Sequence, residues 1–118
     1  MDDRYVIVIP TDDEAILLHC DAGRTLELAT LQELVEGCIE TVPTVLGAAW
    51  AEKMDDEVVL IVNEEGKLRG LPVNEEASEI SAILDDELVG NAVLMCARGD
   101  ELIGFTKEDA ENVLRQWF

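Results

Sequence analysis

The sequence predicts a single α+β domain, a mixed or largely antiparallel sheet with about three helices packed on it. Three observations carry this. Short apolar, β-branched runs recur along the chain, as in Tyr5–Ile9, Glu57–Val62 and Gly90–Ala97. Other stretches space their apolar residues at helical intervals, and turn signals interrupt the two kinds of segment too irregularly for a doubly wound parallel sheet. The 118 residues match the length of one domain. With 48% hydrophobic residues and a mean hydropathy of +0.10, the chain can build a core despite its charge.

Tyr5-Val6-Ile7-Val8-Ile9, stopped by Pro10, reads as a central strand covered on both faces. Ala15 to His19 is expected to pair with it as a hairpin across Thr11-Asp12-Asp13. From Leu26 to Glu36, apolar Leu28, Leu31, Leu34 and Val35 predict a first helix, with Thr25 as N-cap and Gly37 as its end. Cys38 to Val42 reads as a strand before Pro43, and Leu46 to Ala51 continues extended structure. Glu57 to Val62 is a strong strand. After it, Asn63 to Lys67 reads as a tight turn with Gly66 left-handed, and Leu68 to Leu71 as the returning strand. Asn74 is placed to cap a helix from Glu75 to about Leu84, with Ala77, Ile80 and Leu84 on its buried stripe. Gly90 to Ala97 is a further buried strand, with Glu101 to Phe105 its partner across Arg98-Gly99-Asp100. Thr106 and Asp109 open the last helix, whose Ala110, Val113, Leu114 and Trp117 share one face. Val6, Val8, Leu31, Leu60, Val93 and Val113 are the expected core.

The 27 Asp and Glu against 8 Lys and Arg leave a net charge of −19. The basic residues are scattered, so the positive footprint that nucleic acid requires is missing, and anionic membranes are disfavoured likewise. The acids stand in short clusters between apolar runs, where they suit solvated turns and helix N-termini. Three cysteines without CxxC spacing do not make a disulfide framework and are expected to be reduced. The start, Met1-Asp2-Asp3-Arg4, is unlike a secretion signal, and no apolar run reaches membrane-span length, so a cytoplasmic location is expected.

The templates for metal, nucleotide and nucleophile chemistry find no match, and the lone His19 sits beside Cys20 on a strand, where neighbours point to opposite faces. No catalytic residue, metal site or cofactor is assigned. Loose cation binding at Asp55-Asp56-Glu57 or Asp85-Asp86-Glu87 would require oxygens that converge from fixed elements.

The most specific segments are Gly37-Cys38-Ile39-Glu40-Thr41-Val42-Pro43 and Val62-Asn63-Glu64-Glu65-Gly66-Lys67-Leu68, the latter running on through Gly70-Leu71-Pro72 to Asn74. With Leu31-Gln32, Leu34-Val35, Leu88-Val89-Gly90-Asn91-Ala92-Val93 and Phe105-Thr106, they follow an order that resembles a small family of unknown function. That family is common in bacterial phages, plasmids and other mobile elements, and the resemblance runs from about residue 4 to 115. It implies a genomic setting more than an activity.

Glu40, Asn63, Glu64, Lys67, Asn74, Asp85, Asp86 and Glu87 are therefore the candidate binding residues. The partner expected is another protein, with a basic DNA-binding protein as the specific case, since spaced carboxylates imitate DNA phosphates. Two alternatives stay open: a small carboxylate- or metal-dependent enzyme or ligand-binding domain, and an interaction domain whose acidity serves solubility alone.

Overall fold

A computed structural model describes residues 3–46, 57–82 and 87–118. Among them, seven strands form one wholly antiparallel sheet and three helices cover it. The main path runs β2 (Ile16–His19), β1 (Arg4–Ile9), β5 (Ala92–Arg98), β4 (Glu57–Asn63) and β3 (Ile39–Pro43). Two short strands extend it: β6 (Glu101–Ile103) pairs with β5, and β7 (Phe105–Thr106) pairs with β1. The α+β class with an antiparallel sheet is thus as expected.

Successive strand residues point to opposite faces, so the near-continuous apolar runs of β1, β4 and β5 build a core on each side of the sheet. On one face Ile7, Ile9, Leu60, Val62 and Leu94 pack with Ala77 and Ile80 of α2 (Glu75–Ile80) and with Ala110 and Val113 of α3 (Lys107–Trp117). On the other, Val6, Val8, Val59, Ile61, Val93 and Met95 pack under Leu31 and Val35 of α1 (Leu28–Val35). The six expected core residues are all buried. No helix among the described residues is long and apolar enough to cross a membrane.

Several local expectations need correction. The helix α1 begins at Leu28, and Thr25 does not cap it. The Thr25 hydroxyl donates to the Leu26 carbonyl, and Asp21 serves the helix start instead, accepting from the Glu27 N–H at 3.0 Å and the Thr30 hydroxyl at 2.7 Å. These two bonds, Thr30 first, hold the Asp21 carboxyl below its ordinary range. At the other end Glu36, not Gly37, turns left-handed with φ of 65°.

The returning strand expected at Leu68 to Leu71 does not form. Backbone bonds from Arg69 to Glu65, Gly70 to Lys67 and Leu71 to Gly66 wind this segment into successive turns. Gly70, with φ of +66°, takes the left-handed conformation expected of Gly66. Gly66 serves close approach instead, since a Cβ there would lie 2.7 Å from a Val89 methyl.

The helix α2 ends at Ile80 because Ser81 becomes extended and bridges to Thr44 beside β3. Leu84 lies outside the described residues, as do residues 47–51 of the extended stretch expected after β3. The Glu101–Phe105 segment is split, with β6 returning along β5 across Gly99 and Phe105 joining β1. The cap expected at Thr106 is present, its hydroxyl accepting from the Asp109 N–H at 3.2 Å.

Candidate functional site

The antiparallel pairing of β3 with β4 places Glu40 opposite Val62 and Val42 opposite Leu60, so Glu40 and Val42 look out on the same face as Val62. Residues 64–70 then fold back across the end of that face. The segment 88–90 closes the third side, bonded to the strand-like 72–74 through Asn74 N–H to the Leu88 carbonyl at 2.8 Å and Gly90 N–H to the Pro72 carbonyl at 2.7 Å. Ser78 secures it from α2, its hydroxyl accepting from the Leu88 N–H at 2.8 Å.

The result is a cleft of about 170 Å³. Its floor is apolar, formed by buried Val42, Val62 and Leu88, and its rim carries exposed Glu40, Glu64, Lys67, Leu68 and Glu87. Five of the eight candidate residues, Glu40, Asn63, Glu64, Lys67 and Glu87, therefore line one cavity although they come from three separate segments. Asp85 and Asp86 lie outside the described residues. Sequence reasoning missed Leu68, 88% exposed on the rim, whose signal is an apolar side chain stranded among turn residues.

Two of the named asparagines are held by internal bonds. The Asn63 amide donates to the Val35 carbonyl at 3.0 Å and its carbonyl accepts from the Glu65 N–H at 2.7 Å, tying the end of α1 to the turn after β4. Arg69 reaches the neighbouring Glu36 carbonyl. Asn74 does not line the cleft. It is 1% exposed, donates to the Ile9 and Gly90 carbonyls and accepts from the Ala77 N–H, which caps α2 as expected. Asn91, named on the sequence only within the Leu88–Val93 motif, joins the same kind of scaffold by bonding the Thr11 N–H and the Leu34 carbonyl.

A second acidic notch, about 390 Å³, lies where Asp12, Asp13 and Glu14 approach Glu75 and Glu76 at the start of α2. Among the described residues, no three His, Cys, Asp or Glu side chains come together in a way that could hold a metal ion. On the α1 face of the sheet lies a further groove of about 530 Å³, bordered by Leu26, Leu28, Leu31, Ile39 and Leu102 together with charged Arg24, Asp100 and Glu101. None of the three cysteines is in a disulfide; Cys20 and Cys96 are buried and Cys38 is exposed.

The model of a family described as a domain of unknown function (DUF3846) matches residues 4–118. Comparison with curated proteins and with solved structures finds no match.

Proposed function

We infer, for a chain that belongs to the DUF3846 family of domains of unknown function, that it is a binding protein rather than an enzyme and that its carboxylates engage a basic protein. In the mobile-element setting implied by the resemblance, that partner is a DNA-binding host protein whose cationic cleft the acidic surface occupies in place of DNA. One observation carries this reading. Glu40, Glu64 and Glu87 stand exposed around a single apolar-floored cleft in a chain of net charge −19.

Such a cleft matches the chemistry of a lysine or arginine side chain. The aliphatic stem lies along apolar surface, here Val42, Val62 and exposed Leu68, while the charged head stays at the wet rim among carboxylates. The wider negative field steers a basic partner toward it.

Displacement tests the reading. The chain is titrated into a complex of a lysine-rich DNA-binding protein with labelled duplex DNA. It should release the DNA at about 50 mM salt and lose most of that capacity by about 200 mM. The combined variant Glu40→Gln, Glu64→Gln, Glu87→Gln should compete more weakly. Failure to displace DNA at low salt, or equal competition by the triple variant, would overturn it.

A further inference from the structure

The rim of the acid-lined cleft carries a base of its own. Lys67 lines it beside Glu40, Glu64 and Glu87, so three carboxylates and one ammonium surround the apolar floor. The main chain places this residue firmly. Its carbonyl accepts from the Gly70 N–H at 3.1 Å, and the Gly66 carbonyl just before it accepts from the Leu71 N–H at 3.0 Å. Gly66 is itself buried, and a Cβ there would lie 2.7 Å from a Val89 methyl, so the turn is pressed onto the segment that follows Glu87. The Lys67 side chain, by contrast, is exposed on a long flexible stem. The anchor is fixed while the ammonium is able to swing.

Charge decides where it swings. Carboxylates around one cleft repel one another, and an ammonium tethered to the same rim relieves that repulsion with no loss of translational freedom. Arg69, two residues further on, is drawn off to the Glu36 carbonyl. We propose that Lys67 is the resident cation of the cleft, lying over Glu40, Glu64 and Glu87 in the free protein and swinging out when a basic side chain of the partner enters. This rests on the acidic-binding reading above and adds a specificity-determining residue to it. An incoming ammonium or guanidinium replaces a charge that leaves, so a single charge gains little at the cleft. The gain comes from what the partner brings besides that charge: an aliphatic stem along Val42 and Val62, and an apolar neighbour against exposed Leu68. Lys67 thus turns the cleft away from lone cations and toward basic side chains presented with apolar surface.

The probe is a fluorescent, N-acetylated peptide of arginine and leucine, which carries no amine. Its affinity at low salt is measured for the unaltered chain and for two variants, Lys67→Met and Lys107→Met, which each remove one base and so alter the net charge alike. The control is matched, because Lys107 stands 4.0 Å from Glu111 and its loss also bares a carboxylate. Lys67→Met should bind the peptide about three- to fivefold more tightly than the unaltered chain, the range expected when an exposed ion pair no longer has to be broken. Lys107→Met should leave the affinity nearly unchanged. Amine labelling of the unaltered chain gives a second measurement. Brief acetylation, read by mass spectrometry with Lys107 as internal reference, should mark Lys67 more heavily once the peptide is bound, because its amine no longer rests on the carboxylates. Equal or weaker binding by Lys67→Met than by Lys107→Met, or labelling of Lys67 that stays level or falls on binding, would overturn the displacement and leave the acid-lined cleft standing. A peptide that binds none of the three proteins at low salt would overturn both.

Discussion

Cys20 shows how closely single residues are constrained in this domain. Its N–H bonds the Arg4 carbonyl at 2.8 Å, and its thiol lies so near Gly104 that a Cβ there would approach it to 2.7 Å. Burial is the main reason its pKa is pushed up to about 11, the neighbouring charge of Asp21 adding to the effect and Arg4 opposing it. The consequence for stability follows from proton linkage. In the unfolded chain the thiol ionises near its ordinary value of 9.0, while in the fold it holds its proton until about 11. Across that window the unfolded state binds fewer protons, so stability falls as pH rises and is fully retained below the window. Urea midpoints at steps of pH should show this alkaline decline, and Cys20→Ala should lessen its slope. An identical slope in the variant would assign the decline to other groups. Cys38, exposed at the entry to β3, should be alkylated in the folded protein well before Cys20.

At the scale of elements, α1 is fastened mainly at its C-terminal end. Asn63 bonds the Val35 carbonyl, Asn91 the Leu34 carbonyl and Arg69 the Glu36 carbonyl, so three of the helix's orphan acceptors are met by side chains from elsewhere. Gly37 makes room for this: a Cβ there would fall 2.7 Å from the Asn63 amide nitrogen and 3.1 Å from Arg69. Gly37→Ala should therefore destabilise by about 1–2 kcal/mol and Asn63→Ala by about 1–3 kcal/mol. Together they should cost less than their sum by about 0.5 kcal/mol or more, because removing the amide frees the space the methyl needs. Strict additivity in urea denaturation would show that Gly37 is required for some other reason. Much of the architecture was legible beforehand because β1, β4 and β5 are buried on both faces, and that burial writes itself as unbroken β-branched runs. The segment after Asn63 was misread because Leu68 and Leu71 look like the ends of a strand, whereas Leu68 points to solvent and Gly70 turns the chain. The start of α1 was misread because its anchor, Asp21, precedes the helix by several residues and acts only once Ala22 and Thr25 close their turn. For the cleft, Glu40, Asn63, Glu64, Lys67 and Glu87 could each be named, but their meeting in one cavity depends on the β3–β4 register and on Val89 packing against Gly66. No local pattern contains either.

For the whole molecule the dominant electrostatic fact is like charge held close. The acid-rimmed cleft and the notch between Asp12-Asp13-Glu14 and Glu75-Glu76 both concentrate carboxylates on a fold whose chain carries 27 acids and 8 bases. Among the described residues, the Lys107–Glu111 ion pair and the His19–Asp3 contact are exposed, and pairs of that kind contribute little. Compaction should then raise the mutual repulsion of the carboxylates, and added salt should relieve it as the screening length shrinks from about 30 Å at 10 mM to about 10 Å at 100 mM. The urea midpoint at neutral pH should accordingly climb with sodium chloride and level off above roughly 0.3 M, where screening acts over little more than a side chain, with the denaturant slope unchanged. Choline chloride at equal ionic strength distinguishes screening from occupation of an acidic notch, since its bulky cation screens but does not coordinate. The two salts should give the same curve. A midpoint that falls with salt would mean that favourable pairing outweighs repulsion, and a rise with sodium alone would mean that a cation is bound. Under the expected outcome, the fold tolerates an acidic surface at the expense of its own stability, as a surface shaped for a basic partner would require. Binding such a partner should raise the low-salt midpoint by an amount that disappears at high salt, because the same carboxylates would be neutralised in both cases.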